Sequence, residues 1–298
     1  MVLIHAIKDS GKERNDMTKK TAIIDVGGGF RGIYGAGVTD LMLDEGISVD
    51  HAYGVSAGSA DLFSFLCNQR GRTYKFYTDY AFRKEYASAS NYVKTRNFVD
   101  LDYVYGTLSN HDGEYPCDYD AYEANPTDFT VVACNGNTGS AIYFGRESIS
   151  RDNYDVMKAS SALPIAGEPY VINGIPYFDG GLADPVPVSK AFDDGADRII
   201  LVLTHEYDFI RQAKKDAIPA ALLSHSYPAA AHRLLMRYKT YNDEVALAKK
   251  YETEGKVLIL APDNLYGLNT LSRNLDGLKK MYQEGYEDAK AVLSFLDE

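Results

Sequence analysis

The sequence predicts an α/β fold: a mostly parallel central sheet flanked by helices, with a helix-rich C-terminal part. Two observations carry this. A short β-branched run at residues 21–26 and a second short strand pattern at 50–55 each end at glycines or small residues and lead into an apolar helix. Strand–turn–helix repeated in this way is the pattern of a parallel sheet with crossover helices. Further short apolar runs alternate with helical periodicity up to residue 204, and helical patterns dominate beyond it.

Residues 21–26 (TAIIDV) read as a buried strand. Residues 32–45 carry apolar side chains at helical spacing, and Gly46 suits the C-cap. Residues 50–55 form the second strand and 57–70 its helix. Further strands are expected at 128–135, 141–145, 170–172, 175–178, 198–204 and 256–261. Further helices are expected at 73–86, 152–160, 186–194, 229–252 and 275–296, with Pro228 in the first turn of the long one. Residues 1–20 are expected to be a frayed tail, with Met1 or Met17 as the start. Residues 21–204 form the motif-bearing core, and 205–298 a helix-rich part packed on it.

Composition narrows the function. The 298 residues carry a net charge of −11, which argues against a partner bound through its phosphate backbone. No apolar run reaches the roughly 20 residues of a membrane-spanning helix, so a soluble or peripheral protein is expected. No signal peptide is legible at the N-terminus. Cys67, Cys117 and Cys134 match no zinc spacing and cannot all pair within one chain. A reducing, cytoplasmic setting follows.

Gly54-Val55-Ser56-Ala57-Gly58 is a G-x-S-x-G at a strand-to-helix turn. There a sharp turn lifts a serine hydroxyl to the sheet's C-terminal edge, and flanking glycines remove the Cβ atoms that would clash. The next helix directs its N-terminal amides at the site. Ser56 is thus a candidate nucleophile, with Gly54 and Gly58 forming its elbow. A helix N-cap serine would satisfy the same pattern.

Gly27-Gly28-Gly29-Phe30-Arg31-Gly32 occupies the other strand-to-helix turn. Successive glycines expose backbone N–H groups, as an oxyanion hole requires. Gly27, Gly28, Gly29 and Arg31 are candidates, with the Ala57 amide as a further donor. Gly27-x-Gly29-x-x-Gly32 also matches a dinucleotide-binding fingerprint, an alternative that makes the chain a non-enzymatic binding module. That reading wants an acidic residue at the end of the second strand, whereas Asp50 stands at its beginning.

Asp179-Gly180-Gly181 follows a strand, and its carboxylate is a candidate base. A triad would add His205, His225 or His232. A dyad, in which Asp179 itself takes the Ser56 proton, needs fewer parts and a carboxyl pKa raised by its surroundings. The 158–164 segment (KASSALP) has small residues that allow close packing.

GGGFRG, GVSAG, KASSALP and DGG, in this order, resemble the motif blocks of the patatin-like phospholipase family over residues 21–188. The resemblance implies a Ser–Asp dyad with Ser56 as nucleophile and Asp179 as base. It implies an oxyanion hole from the glycine turn near Arg31, and hydrolysis of lipid acyl esters without calcium or another cofactor. The chain looks most like bacterial cytoplasmic members. A lipid or small ester is the expected substrate, with peripheral membrane contact compatible and nucleic acid excluded.

Two features bear on that substrate. Residues 70–96 hold seven basic against two acidic side chains, interleaved with Tyr74, Tyr77, Tyr80 and Tyr86. This suits an anionic lipid interface, but inward packing of the tyrosines on a solvated helix is the favoured reading. Tyr103, Tyr105, Tyr115, Tyr119 and Tyr122 follow in a stretch able to cap an acyl pocket. The carboxylates Asp179, Asp184, Asp193 and Asp194 fit no calcium loop, and no metal is expected.

Overall fold

The computed structural model describes residues 19–297. The expected frayed tail, Lys19 and Lys20 apart, and the choice of start codon lie outside the described residues. An eight-stranded sheet runs through the centre. Its parallel part is β3 (Asp128–Asn135), β2 (His51–Val55), β1 (Thr21–Asp25), β7 (Arg198–Val202) and β8 (Val257–Leu260), in that spatial order. β1 is fully buried along its length, as its β-branched run demands when helices cover both faces.

The antiparallel strands decide where the site forms. β4 (Ala141–Phe144) pairs with residues 131–134 of β3, while β6 (Ile175–Asp179) pairs with residues 133–135. β2 pairs with residues 128–132 of the same strand. A residue that pairs twice must do so on opposite edges, so β4 takes one edge of β3. β2 and β6 therefore share the other edge and meet head to head. Val55 ends β2 opposite Val132, and Asp179 ends β6 opposite Ala133. This placement sets Val55 and Asp179, far apart in sequence, opposite consecutive positions of β3, with Ser56 the next residue after Val55. β5 (Tyr170–Ile172) extends β6 as an antiparallel hairpin.

Helices α1 (Ile33–Asp44) and α2 (Ala57–Leu66) follow β1 and β2, and α6 (Asp155–Ser160) packs on β3. The expected helix 73–86 is instead α3 (Arg72–Thr78) and a separate turn at Tyr80–Phe82, because Asp79 leaves the helical region at φ −121°, ψ −71°. The helix expected at 57–70 stops at Leu66, with Asn68 left-handed at φ 54°. Three short helices have no counterpart in the expected set. α4 (Ala89–Thr95) buries none of its residues, so it has no apolar face to read. α5 (Tyr119–Ala124) is capped by Asp118. α8 (Ala217–Leu223) contains Pro219, which reads as a breaker but sits in the first turn, where no amide is needed.

Beyond residue 204 lie α8, α9 (Pro228–Thr253), α10 (Leu275–Asp288) and α11 (Ala291–Asp297), together with β8, which pairs with β7 in the central sheet. The helix expected at 275–296 breaks into α10 and α11 at Ala289 and Lys290. α10 lies directly on α1 through paired glycines. A Cβ on Gly37 would stand 2.1 Å from Tyr282 O, and one on Gly285 2.2 Å from Tyr34 O. Gly285→Leu should therefore lower the melting temperature by about 5 °C or more, read by thermal unfolding. An unchanged transition would show that α10 can shift without cost.

The tyrosines of the basic stretch pack inward, Tyr77 and Tyr80 buried and Tyr74 and Tyr86 half-buried. Three of the cations there have partners within the chain, two of them at the surface. Arg70 pairs with Asp44, Arg83 with Glu114, and buried Arg72 lies over the Phe76 ring. No helix among the described residues is long and apolar enough to cross a membrane. Cys67, Cys117 and Cys134 are buried and free.

Candidate active site

Ser56 sits at the turn from β2 into α2 with φ 56° and ψ −131°, a backbone that L-residues seldom adopt. Its neighbours make this turn possible. A Cβ on Gly54 would lie 2.4 Å from Ser59 Cα, and one on Gly58 2.3 Å from Asp25 O. Ser160 locks the turn from the far side: its hydroxyl accepts the Ser56 amide at 2.8 Å and donates to Val132 O at 2.6 Å. The KASSALP segment, without a catalytic assignment in the sequence, thus buttresses the elbow.

Asp179 is 3% exposed. Its Oδ1 accepts the Gly181 amide at 2.8 Å, and its buried Oδ2 has no aligned hydrogen-bond donor. Burial raises the carboxyl pKa. The Ser56 hydroxyl, the Gly181 amide and, at longer range, Arg237 and Arg211 act in the opposite direction. Ser56 and Asp179 line one cavity with Gly27, Gly28 and Arg31.

The glycine turn lies against the elbow, since a Cβ on Gly27 would be 2.8 Å from the Ala57 amide nitrogen. Its amides are not equivalent. Gly27 N–H donates to Asp25 Oδ1 at 2.8 Å and so is not free for an oxyanion. The Gly27 carbonyl accepts the Thr204 hydroxyl, and Phe30 N–H donates to Thr270 O. The Gly28, Gly29 and Ala57 amides have no acceptor among the described residues; Ala57 opens α2, where amides lack intrahelical partners. Arg31 is 7% exposed and holds Thr204 O at 3.1 Å and Thr270 Oγ1 at 3.3 Å. Burial brings its pKa down to about 10. Its visible contacts brace the glycine turn.

The other candidates separate clearly. His205 lines the same cavity, but its ring stacks on Phe209 at 3.8 Å and hydrogen-bonds to neither Ser56 nor Asp179. Burial, then Arg31 and Arg211, push its pKa down to about 3, so it is neutral. His225 and His232 are exposed on the C-terminal part. Asp50 binds the Thr21 amide at the opposite end of β1 from the glycine turn. Of the acidic group, Asp184 takes the Tyr143 hydroxyl and Asp194 the Tyr53 hydroxyl, away from Asp179.

A second, apolar cleft of about 790 Å³, its open mouth included, also reaches Ser56. Phe76, Val99, Leu101, Val104 and Leu163 line it, and Tyr105 is the one member of the 103–122 tyrosine group that does. Sequence reasoning missed Thr270 and Leu271, which close the clefts, and Arg211, Arg237 and Tyr241, which wall the polar one. All five lie beyond the motif-bearing core, and no local signal marks them.

A serine on a strained elbow at the end of a parallel strand, sharing a cavity with a buried carboxyl and a glycine turn, is an arrangement able to support acyl transfer. The model of the patatin-like phospholipases matches residues 26–192, and the chain belongs to that family of lipid acyl hydrolases. A second model, described as a domain of unknown function (DUF6363), matches residues 227–298. The uncharacterized protein YjjU of Escherichia coli K12 is 32% identical over 192 residues, covering 62% of this chain and 52% of YjjU. The chain thus spans about half the length of that curated relative. VipD from Legionella pneumophila has a similar fold, with a TM-score of 0.51 at 12% identity, covering 94% of this chain and 67% of VipD's.

Proposed function

We propose that the protein hydrolyses lipid acyl esters through a Ser56–Asp179 dyad. Ser56 Oγ attacks the ester carbonyl as Asp179 Oδ2 takes its proton, and the carbonyl oxygen gathers negative charge at the Gly28, Gly29 and Ala57 amides. Collapse breaks the bond to the alcohol, which leaves with the proton from Asp179. Water, deprotonated by the same carboxylate, then attacks the acyl carbon; the bond to Ser56 Oγ breaks, Asp179 returns the proton to Oγ, and the acyl group leaves as a carboxylic acid. Gly27 and Arg31 hold the turn in shape, and the apolar cleft takes the acyl chain.

The observation that supports this reading is the meeting of β2 and β6 on one edge of β3, with Ser56 and the buried Asp179, whose Oδ2 has no aligned partner, lining one cavity. A fluorophosphonate probe tests it: the adduct is expected on the peptide containing Ser56. An adduct elsewhere, or none on folded protein, overturns it.

The triad and dinucleotide alternatives predict different outcomes. His205→Ala should cost less than tenfold in ester turnover; a loss matching that of Ser56→Ala would instead favour a triad. NAD(P) should leave the melting temperature unchanged, because the glycine turn packs on the elbow and Asp50 lies at the far end of the sheet. Because Asp179 must be ionised to act, kcat/KM should fall on the acid side with an apparent pKa above the ordinary aspartate value of 3.8.

A further inference from the structure

The two clefts that meet at Ser56 differ in chemistry. An ester bound there lays its acyl half and its alcohol half in different surroundings. The apolar cleft contains one cation, Arg72, whose Nη1 and Nη2 donate to Ser64, Ser109 and the Tyr115 carbonyl and whose guanidinium lies over the Phe76 ring, while its Nε has no partner among the described residues. The polar cleft is walled by Arg31, Arg211 and Arg237.

The charge in the polar cleft is unbalanced. Arg211 and Arg237 share one carboxylate, that of buried Asp216, at 3.1 Å and 2.8 Å. Their Nη1 atoms take no hydrogen bond among the described residues. Arg31 has neutral partners only. The other acid at the rim, Glu206, is half-exposed and lies 3.7 Å from the His205 ring. Asp179, ionised when it acts as base, offsets one charge more, which leaves three guanidinium groups against the carboxylates of Asp216 and Asp179. Holding surplus guanidinium charge in a partly desolvated wall is costly unless an anion completes it.

The arginines are also preorganised. The Asn242 side chain on α9 grips the Arg211 backbone at both its amide and its carbonyl, at 2.9 Å and 3.1 Å. Arg237 projects from the same helix, and Asp216 fixes both forks. A rigid pair of guanidinium forks suits a phosphate group, whose oxygens accept paired N–H donors.

We propose that Arg211 and Arg237 form a phosphate subsite for the alcohol half of the substrate, so that the C-terminal segment selects acyl esters of phosphorylated alcohols. The inference rests on the acyl-hydrolase reading and adds to it the residues, beyond the stretch that the patatin-like family model matches, that choose the headgroup.

The test compares two esters of one chain length, a 1-acylglycerol 3-phosphate and the neutral 1-acylglycerol, in wild type, Arg211→Gln and Arg237→Gln. Each competes with fluorophosphonate labelling of Ser56, which gives an affinity ratio even where turnover is slow, and hydrolysis gives the kcat/KM ratio. The preference for the phosphate ester is expected to fall tenfold or more in each variant. Equal losses on both esters, or an unchanged ratio, overturn the subsite. If Arg237→Gln does not fold, Arg237→Lys keeps the charge without the fork and should lose part of the preference. Inorganic phosphate is a separate arm: inhibition of neutral-ester turnover with no change in the ester ratio marks a site for the free anion and also overturns the proposal. Failure of the probe to label Ser56 in wild type sinks the hydrolase reading itself, whereas labelling without phosphate preference sinks only the subsite.

Discussion

Ser56→Ala should lower kcat/KM for a short-chain nitrophenyl ester by about 10³-fold or more, because removing a nucleophile that acts as one unit with its base removes the covalent route. Asp179→Asn should come close to the same loss, since an amide cannot accept the proton. The loss should not come from unfolding. The Ser56 hydroxyl makes no structural hydrogen bond; the elbow is held by the Ser56 amide on Ser160 and by the Ser59 hydroxyl on the Ser56 carbonyl. Alanine keeps the Cβ and hence the strain at φ 56°. Glycine would release it, so Ser56→Gly should be as inactive as Ser56→Ala but melt higher, by the few degrees that about 1 kcal/mol of backbone strain represents. Thermal unfolding beside ester kinetics checks both. A Ser56→Ala protein that keeps more than a tenth of wild-type activity would remove Ser56 from the mechanism.

What was legible in the sequence was what is local. The strands of the parallel sheet end within a few residues of their expected limits because β-branched runs stopped by small residues have few other uses. The elbow was legible because Gly54, Ser56 and Gly58 act within one turn. The state of Gly27 was also within reach: Asp25 precedes it by two residues, the spacing at which an aspartate caps a backbone amide, so its N–H was already claimed. What decides the rest is long-range. Nothing near Asp179 says that β6 runs head-on into β2, because that follows from β4 occupying the other edge of β3. Thr270 braces the glycine turn from some 240 positions away, and Arg211 and Arg237 reach the cleft only because α9 lies across that end of the sheet. α10 docks on α1 where glycines let backbones touch, a signal that no hydrophobic period carries.

Asp61→Asn should flatten the pH dependence of stability, because a pair of buried carboxyls beneath the glycine turn is kept protonated in the native state. Asp25 and Asp61 are both fully buried. A Cβ on Gly35 would stand 2.0 Å from Asp25 Oδ2 and 3.3 Å from Asp61 Oδ2, so both acids press on one face of α1. Asp25 Oδ2 and both oxygens of Asp61 lack aligned partners. Burial lifts Asp25 to about 7 against the pull of the Gly27 amide. Asp61 is raised well above the usual range by burial, then by repulsion from Asp25 and Asp40. The unfolded chain releases these protons near pH 4, whereas in the native state Asp25 holds its proton to about 7 and Asp61 is held well above the usual carboxyl range. Between those limits the native state binds more protons, so stability is greatest below about pH 4 and declines as pH rises toward 7. The melting temperature of wild type should therefore drop from pH 5 to pH 8, and Asp61→Asn, which cannot ionise, should lose at least half of that slope. Identical slopes would mean that the pair does not titrate as described. Activity runs the other way, because Asp179 must lose its proton to serve as base. The same burial that keeps Asp25 protonated beneath the glycine turn works against ionisation of Asp179, the base of the proposed dyad. Catalysis is thus favoured in the pH range where the foundation of the turn begins to weaken.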